Sequence, residues 1–177
     1  MIRWSLDKQP PASAEFGFVA TADVPTEDIP ALVGRHLAPL VDAGQSTEET
    51  CPLFGGLVVE IDGRRVLYPQ CCGDLSSYET WAAVLDPHFR HGRVALDGHP
   101  APHVVRHDDV LEVQCVGDDI DPVFWPPCDQ QVIIASSQFR AALENARQEL
   151  VAFADRISRC EPERPGLGRL LVFGEPT

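Results

Sequence analysis

Apolar and polar residues change period several times along the chain, and each change marks an element. The clearest stretch is Leu57–Tyr68, where alternating positions flank Asp62-Gly63, a pair suited to a two-residue type I′ hairpin turn. Pairing around that turn sets Ile61 opposite Arg64, Glu60 opposite Arg65, Val59 opposite Val66 and Leu57 opposite Tyr68. Over Ser137–Cys160 the period lengthens: Phe139, Leu143, Ala146, Leu150, Phe153 and Ile157 recur at steps of four and three, one face of a helix. The stretch is too short to argue for a coiled coil, so packing across a sheet is expected.

Shorter patterns fill the rest. Ile2–Leu6 reads as an edge strand, Lys8–Ala14 as a proline-bearing loop, and Glu15–Ala20 as a second strand. Pro25–Ala43 predicts a helix with Thr26 as N-cap, Pro39 as a kink or stop, and Gly44 beyond it. Ser76-Ser77-Tyr78-Glu79 matches a capping box, and the helix it starts runs through Trp81 to about Leu85 before Asp86-Pro87. Trp81 and Leu85 share a face, which suits core packing. Arg93–Leu96, Val110–Val116 and Gln131–Ala135 are strand candidates, and Gly168–Gly174 reads as a last strand. The element order gives an α+β fold over 1–177: a single domain, mainly an antiparallel sheet with helices packed on one face.

Composition narrows the function. The 177 residues carry a net charge of -13, 44% hydrophobic residues and six cysteines. The stretch 110–130 concentrates Glu112, Asp118, Asp119, Asp121 and Asp129 without a lysine or arginine. Such a surface repels nucleic acid phosphate and anionic lipid and attracts a basic partner. No apolar run has a membrane-spanning length, and the N-terminus lacks a signal-peptide core, so a cytoplasmic protein with reduced thiols is expected. Lys8 is the only lysine, which excludes a lysine-dependent phosphate loop, and no G-x-S-x-G or H-E-x-x-H occurs.

The chemistry-bearing run is Pro69-Gln70-Cys71-Cys72-Gly73-Asp74-Leu75. A Gly-Asp turn there places two thiols and a carboxylate ahead of a helix. Cys71, Cys72, Cys51 and Cys128 offer soft ligands for zinc, with His88 and His91 near in sequence. Against this stands the spacing, because adjacent cysteines in extended chain point to opposite faces. A thiol before a helix N-terminus could have a lowered pKa and act as a nucleophile, with His88, His91 or His107 as base. The bland alternative is that Gly73-Asp74 shapes the turn and the cysteines pack beneath it. His99, His103 and His107 are spaced by four; Pro100 and Pro102 forbid a helix, but on a strand His103 and His107 share a face. Asp118, Asp119, Asp121 and Trp125 suit protein binding: acidic steering around an aromatic anchor.

The run Leu67–Leu75, followed by a Trp-bearing helix, resembles one in uncharacterised bacterial proteins. With its size, acidity and α+β pattern, the chain is similar in character to immunity proteins of bacterial toxin systems, the SUKH kind among them. It departs from that kind by opening with strands where those families usually open with helix. The resemblance implies a protein that acts by binding a basic toxin, without catalytic residues and without a cofactor. The alternative is a thiol- or zinc-dependent protein centred on Cys71 and Cys72.

Overall fold

The computed structural model describes residues 2–7, 18–94, 99–117, 123–125 and 127–175. Among them are two four-stranded antiparallel sheets and four α-helices, an α+β fold. In the first sheet β1 (Ile2–Asp7) lies between β2 (Phe18–Ala20) and β3 (Gly55–Ile61), and β4 (Arg64–Leu67) follows β3. The second sheet runs in chain order: β5 (His91–Arg93), β6 (His103–His107), β7 (Val110–Gln114) and β8 (Gln131–Ala135). The helices are α1 (Ile29–Asp42), α2 (Tyr78–Ala83), α3 (Ser136–Cys160) and α4 (Leu167–Phe173). None of them is long and apolar enough to cross a membrane. The expected loop Lys8–Ala14 falls outside the described residues.

β1 is interior, not the edge strand expected of Ile2–Leu6. Alternation reports that a strand is half-buried; it does not report how many neighbours the strand has. The hairpin forms as its turn chemistry requires, with Asp62 and Gly63 at φ 51° and 78°. Ile61 faces Arg64 and Glu60 faces Arg65, but Val59 faces Leu67 where Val66 was expected. The register shifts between Val59 and Glu60, and β4 is tied on its other side to the loop around Asp129. The Val66 carbonyl accepts the Asp129 N–H at 2.9 Å, and Arg64 grips the Asp129 carboxylate with two hydrogen bonds of 2.8 and 2.7 Å. Val66 and Leu67 are both buried.

α3 is the central pillar. Its six periodic residues, Phe139 through Ile157, are all buried, and the helix touches β1, β8 and the other three helices. Full burial of a side chain of that size contributes about 1.5–3 kcal/mol. Trp81 of α2 is fully buried and its ring lies 5.8 Å from that of Phe139, a core residue as its periodicity implied. Arg106 and Arg140 donate to the Leu85 carbonyl, and Arg106 also to that of Asp86 at 2.8 Å. These cations satisfy carbonyls just past the C-terminal end of α2, where the helix dipole favours them.

The chain ends in a helix, not the strand expected of Gly168–Gly174. A continuous apolar run fits either period, and tertiary packing decides between them. Here Leu167, Leu171 and Val172 bury one face against α3. Gly168 sits so close that an added Cβ would lie 2.1 Å from the Ala154 carbonyl oxygen. Gly166 and Gly174, at φ 83° and 69°, bound the helix at its two ends. The expected N-cap and the expected stop at Pro39 also differ. Thr26 opens a 3₁₀ turn (Thr26–Asp28) without capping it, and its hydroxyl instead accepts from Arg156 at 3.4 Å. Pro39 stays inside α1, which continues to Asp42.

Candidate functional site

β4 leads directly into the cysteine run. The Gly73 N–H donates to the Gln70 carbonyl at 3.2 Å and closes a four-residue turn, with Cys71 and Cys72 at its corner. Cys72 takes φ 66°, the position where a type II turn normally asks for glycine. The turn expected at Gly73-Asp74 is therefore two residues earlier, at Cys71-Cys72. Gly73 instead lies alongside the start of β3: its carbonyl accepts from Gly55 N–H at 3.0 Å, and Leu75 N–H donates to Leu53. Asp74 is the actual cap of the 3₁₀ turn Leu75–Ser77. Its Oδ1 accepts the Ser76 N–H at 2.8 Å and the Ser76 hydroxyl at 2.6 Å, at the head of that turn. The Ser76 capping box does not form, because a nearer acceptor has taken the donors.

The left-handed corner changes what the two thiols can do. In extended chain they would point apart. With Cys72 at positive φ, the Cys71 and Cys72 sulfurs and a ring nitrogen of His99 all lie within 4.8 Å of one another, on exposed residues. Neither cysteine packs beneath the turn. His99 is held in place by its backbone: its N–H donates to the Cys71 carbonyl at 3.0 Å, and the Cys71 thiol donates to the His99 carbonyl at 3.3 Å.

The electrostatics at Cys72 run against the lowered pKa that a nucleophile there would need. The hydrogen bond with Cys71 raises the Cys72 pKa, and the charge Cys71 would carry and slight burial add to it. A helix N-terminus would have lowered it, but Asp74 occupies the donor there. The bases considered lie elsewhere: His107 contacts Glu112 at 3.1 Å, and the His91 ring lies 5.9 Å from that of His103. His88 donates its backbone N–H to Asp86.

The other two cysteines considered as metal ligands do not join this group. Cys51 is exposed, and its carbonyl bonds to His36 Nε2 at 2.9 Å. The Cys128 sulfur accepts from Tyr68 N–H at 3.3 Å and from Gln70 Nε2 at 3.5 Å. His99 is one of five histidines from His88 to His107 in the sequence. Its role depends on a backbone pairing 28 residues away, for which no local signal exists.

On the inner side of the turn, Pro69 and Gln70 are buried. Gln70 donates from Nε2 to the Tyr68 carbonyl at 3.0 Å, and its Oε1 accepts the Trp125 N–H at 2.5 Å. Phe124 is 6% exposed, whereas Val123 and Trp125 are 67% and 68% exposed. The buried phenyl ring and the glutamine thus fix the backbone while its neighbours face solvent. Asp118, Asp119 and Asp121 lie outside the described residues. Asp129 is described, and the hydrogen bonds from Arg64, with its charge, hold its carboxyl below the usual range.

A polar array covers one face of the second sheet. His103 and His107 share a face of β6, as the strand alternative required. On β7, Glu112 accepts from Gln114 and Gln131, each at 2.7 Å, and contacts His107. These bonds, Gln114 first, hold its carboxyl below the ordinary value against a small opposing effect of burial. No family model, no curated protein and no solved structure matches the chain.

Proposed function

We propose that the protein is a non-enzymatic binding protein that takes a basic protein partner on its acidic surface, in the cytoplasm. One observation carries the reading: Val123 and Trp125 are exposed on a backbone fixed by buried Phe124 and by Gln70. An aromatic group on a fixed backbone loses little freedom on docking, which is what an interface anchor needs. Asp118, Asp119 and Asp121 precede that anchor in sequence, and the net charge is -13. Acidic groups around an apolar centre accelerate encounter with a basic surface and disfavour anionic ones.

The partner we infer from the resemblance to immunity proteins is a basic bacterial toxin, which the protein neutralises by covering it. The test is calorimetric titration against a panel of purified basic toxin domains, with Trp125→Ala beside the wild-type chain. The reading expects one domain to bind, and expects Trp125→Ala to weaken it at least tenfold, about 1.4 kcal/mol. Binding that ignores Trp125→Ala, or binding to none of the panel, contradicts it.

A further inference from the structure

We infer that Cys71, Cys72 and His99 form a binding site for a single thiophilic d10 metal ion, zinc(II) foremost, with one coordination position left open. The inference does not rest on the proposed partner surface, although Gln70, next to Cys71 in sequence, bonds to the Trp125 backbone. Three observations converge. The three ligand atoms lie within 4.8 Å of one another, and all three residues are exposed. Cys72 occupies a left-handed backbone position although a glycine stands next to it in sequence, and that conformation turns both thiols to one side. The Cys71–His99 backbone hydrogen bond, 3.0 Å long, fixes the third ligand against the first.

The distances suit the ion. Zinc–sulfur bonds of about 2.3 Å and zinc–nitrogen bonds of about 2.0–2.1 Å, arranged tetrahedrally, place ligand atoms about 3.5–3.8 Å apart. Closing from the present separations takes a movement on the order of 1 Å, which side-chain rotation at exposed positions supplies. The Cys71 thiol gives up its hydrogen bond to the His99 carbonyl in doing so.

The charge balance is simple. Each thiol releases its proton to water, the two thiolates bind the dication, and the neutral imidazole completes a site of zero net charge. Two thiolates and one imidazole select a soft or borderline ion over magnesium or calcium. Three protein ligands leave a fourth position for a donor from solution, the arrangement of an open site rather than a closed structural one. The net charge of -13 favours the approach of cations to the protein as a whole.

The experiment uses the full-length protein, reduced and stripped of metal, titrated with cobalt(II) and then displaced by zinc(II). The expected result is one ion per chain, a thiolate-to-cobalt charge-transfer band, and its loss on adding zinc. His99→Ala and Cys71→Ser should each weaken binding at least tenfold. Cys72→Gly should weaken binding to the same degree and diminish the band while keeping the fold, since glycine suits that backbone, and Cys51→Ser should change nothing. Absence of the band in the wild-type protein overturns the site. So does cobalt affinity that is unchanged in His99→Ala and Cys72→Gly, or a band lost only when Cys51 or Cys128 is replaced.

Discussion

Gln70 Oε1 accepts the backbone N–H of Trp125 across 55 residues of chain, at 2.5 Å. A buried side chain of the cysteine run therefore sets where the exposed aromatic stands. Replacing Gln70 with leucine keeps the volume and removes both hydrogen-bonding ends. The Trp125 N–H and the Tyr68 carbonyl would then lose partners, at a cost of about 1–3 kcal/mol. Chemical denaturation should show that loss. Hydrogen exchange should show faster opening at Trp125 than at the α3 core.

Cys72 stands at φ 66°. A non-glycine residue there carries about 1–2 kcal/mol of backbone strain. Glycine relieves the strain but adds about 0.4–1 kcal/mol of unfolded-state entropy. Cys72→Gly should therefore hold or slightly raise the denaturation midpoint, whereas Cys72→Val should lower it, since a branched Cβ fits that region worst. A cysteine that is worse than glycine for the fold points to a reason for it other than folding.

Gly168 meets the Ala154 carbonyl where α4 crosses α3. Gly168→Ala has no room at 2.1 Å from that backbone oxygen, so the helices must separate. Overpacking of this kind costs about 1–3 kcal/mol or more. Thermal unfolding should show the drop, while Gly34→Ala, with nothing near its Cβ position, should not lower stability.

Glu112 has its pKa lowered chiefly by hydrogen bonds from Gln114 and Gln131, and then by His107. In the unfolded chain a glutamate titrates near about 4.3. Its contribution to stability is thus present above that value and lost as the pH falls through the lower folded value. Acid titration of unfolding should show this loss in the wild-type protein. Glu112→Gln should flatten that limb of the curve.

The parts of the fold that were legible share a cause. The Asp62-Gly63 turn and the four-and-three spacing of α3 are local signals, and local chemistry decided them. The register shift at Val59 and the helical tail were not legible, because both lie against residues far along the chain: β4 against Asp129, and α4 against Ala154. The cysteine run was visible as a special place, but its geometry was not. Gly73 is the residue a reader would place in the left-handed position, yet Cys72 takes it, while the Gly73 carbonyl accepts from Gly55 N–H. That single exchange brings together two thiols expected to point apart. His99 joins them through a backbone pairing that no spacing rule encodes.

The central claim, binding of a basic partner through an acidic surface centred on Trp125, is tested most directly by salt dependence. Affinity for the bound toxin domain would be measured across a range of salt for the wild-type chain and for Asp118→Lys, Asp119→Lys and Asp121→Lys combined. The expected result is wild-type binding that weakens steadily with salt, and a triple variant that binds less tightly with a shallower dependence. A triple variant with unchanged affinity and unchanged salt dependence would contradict the claim.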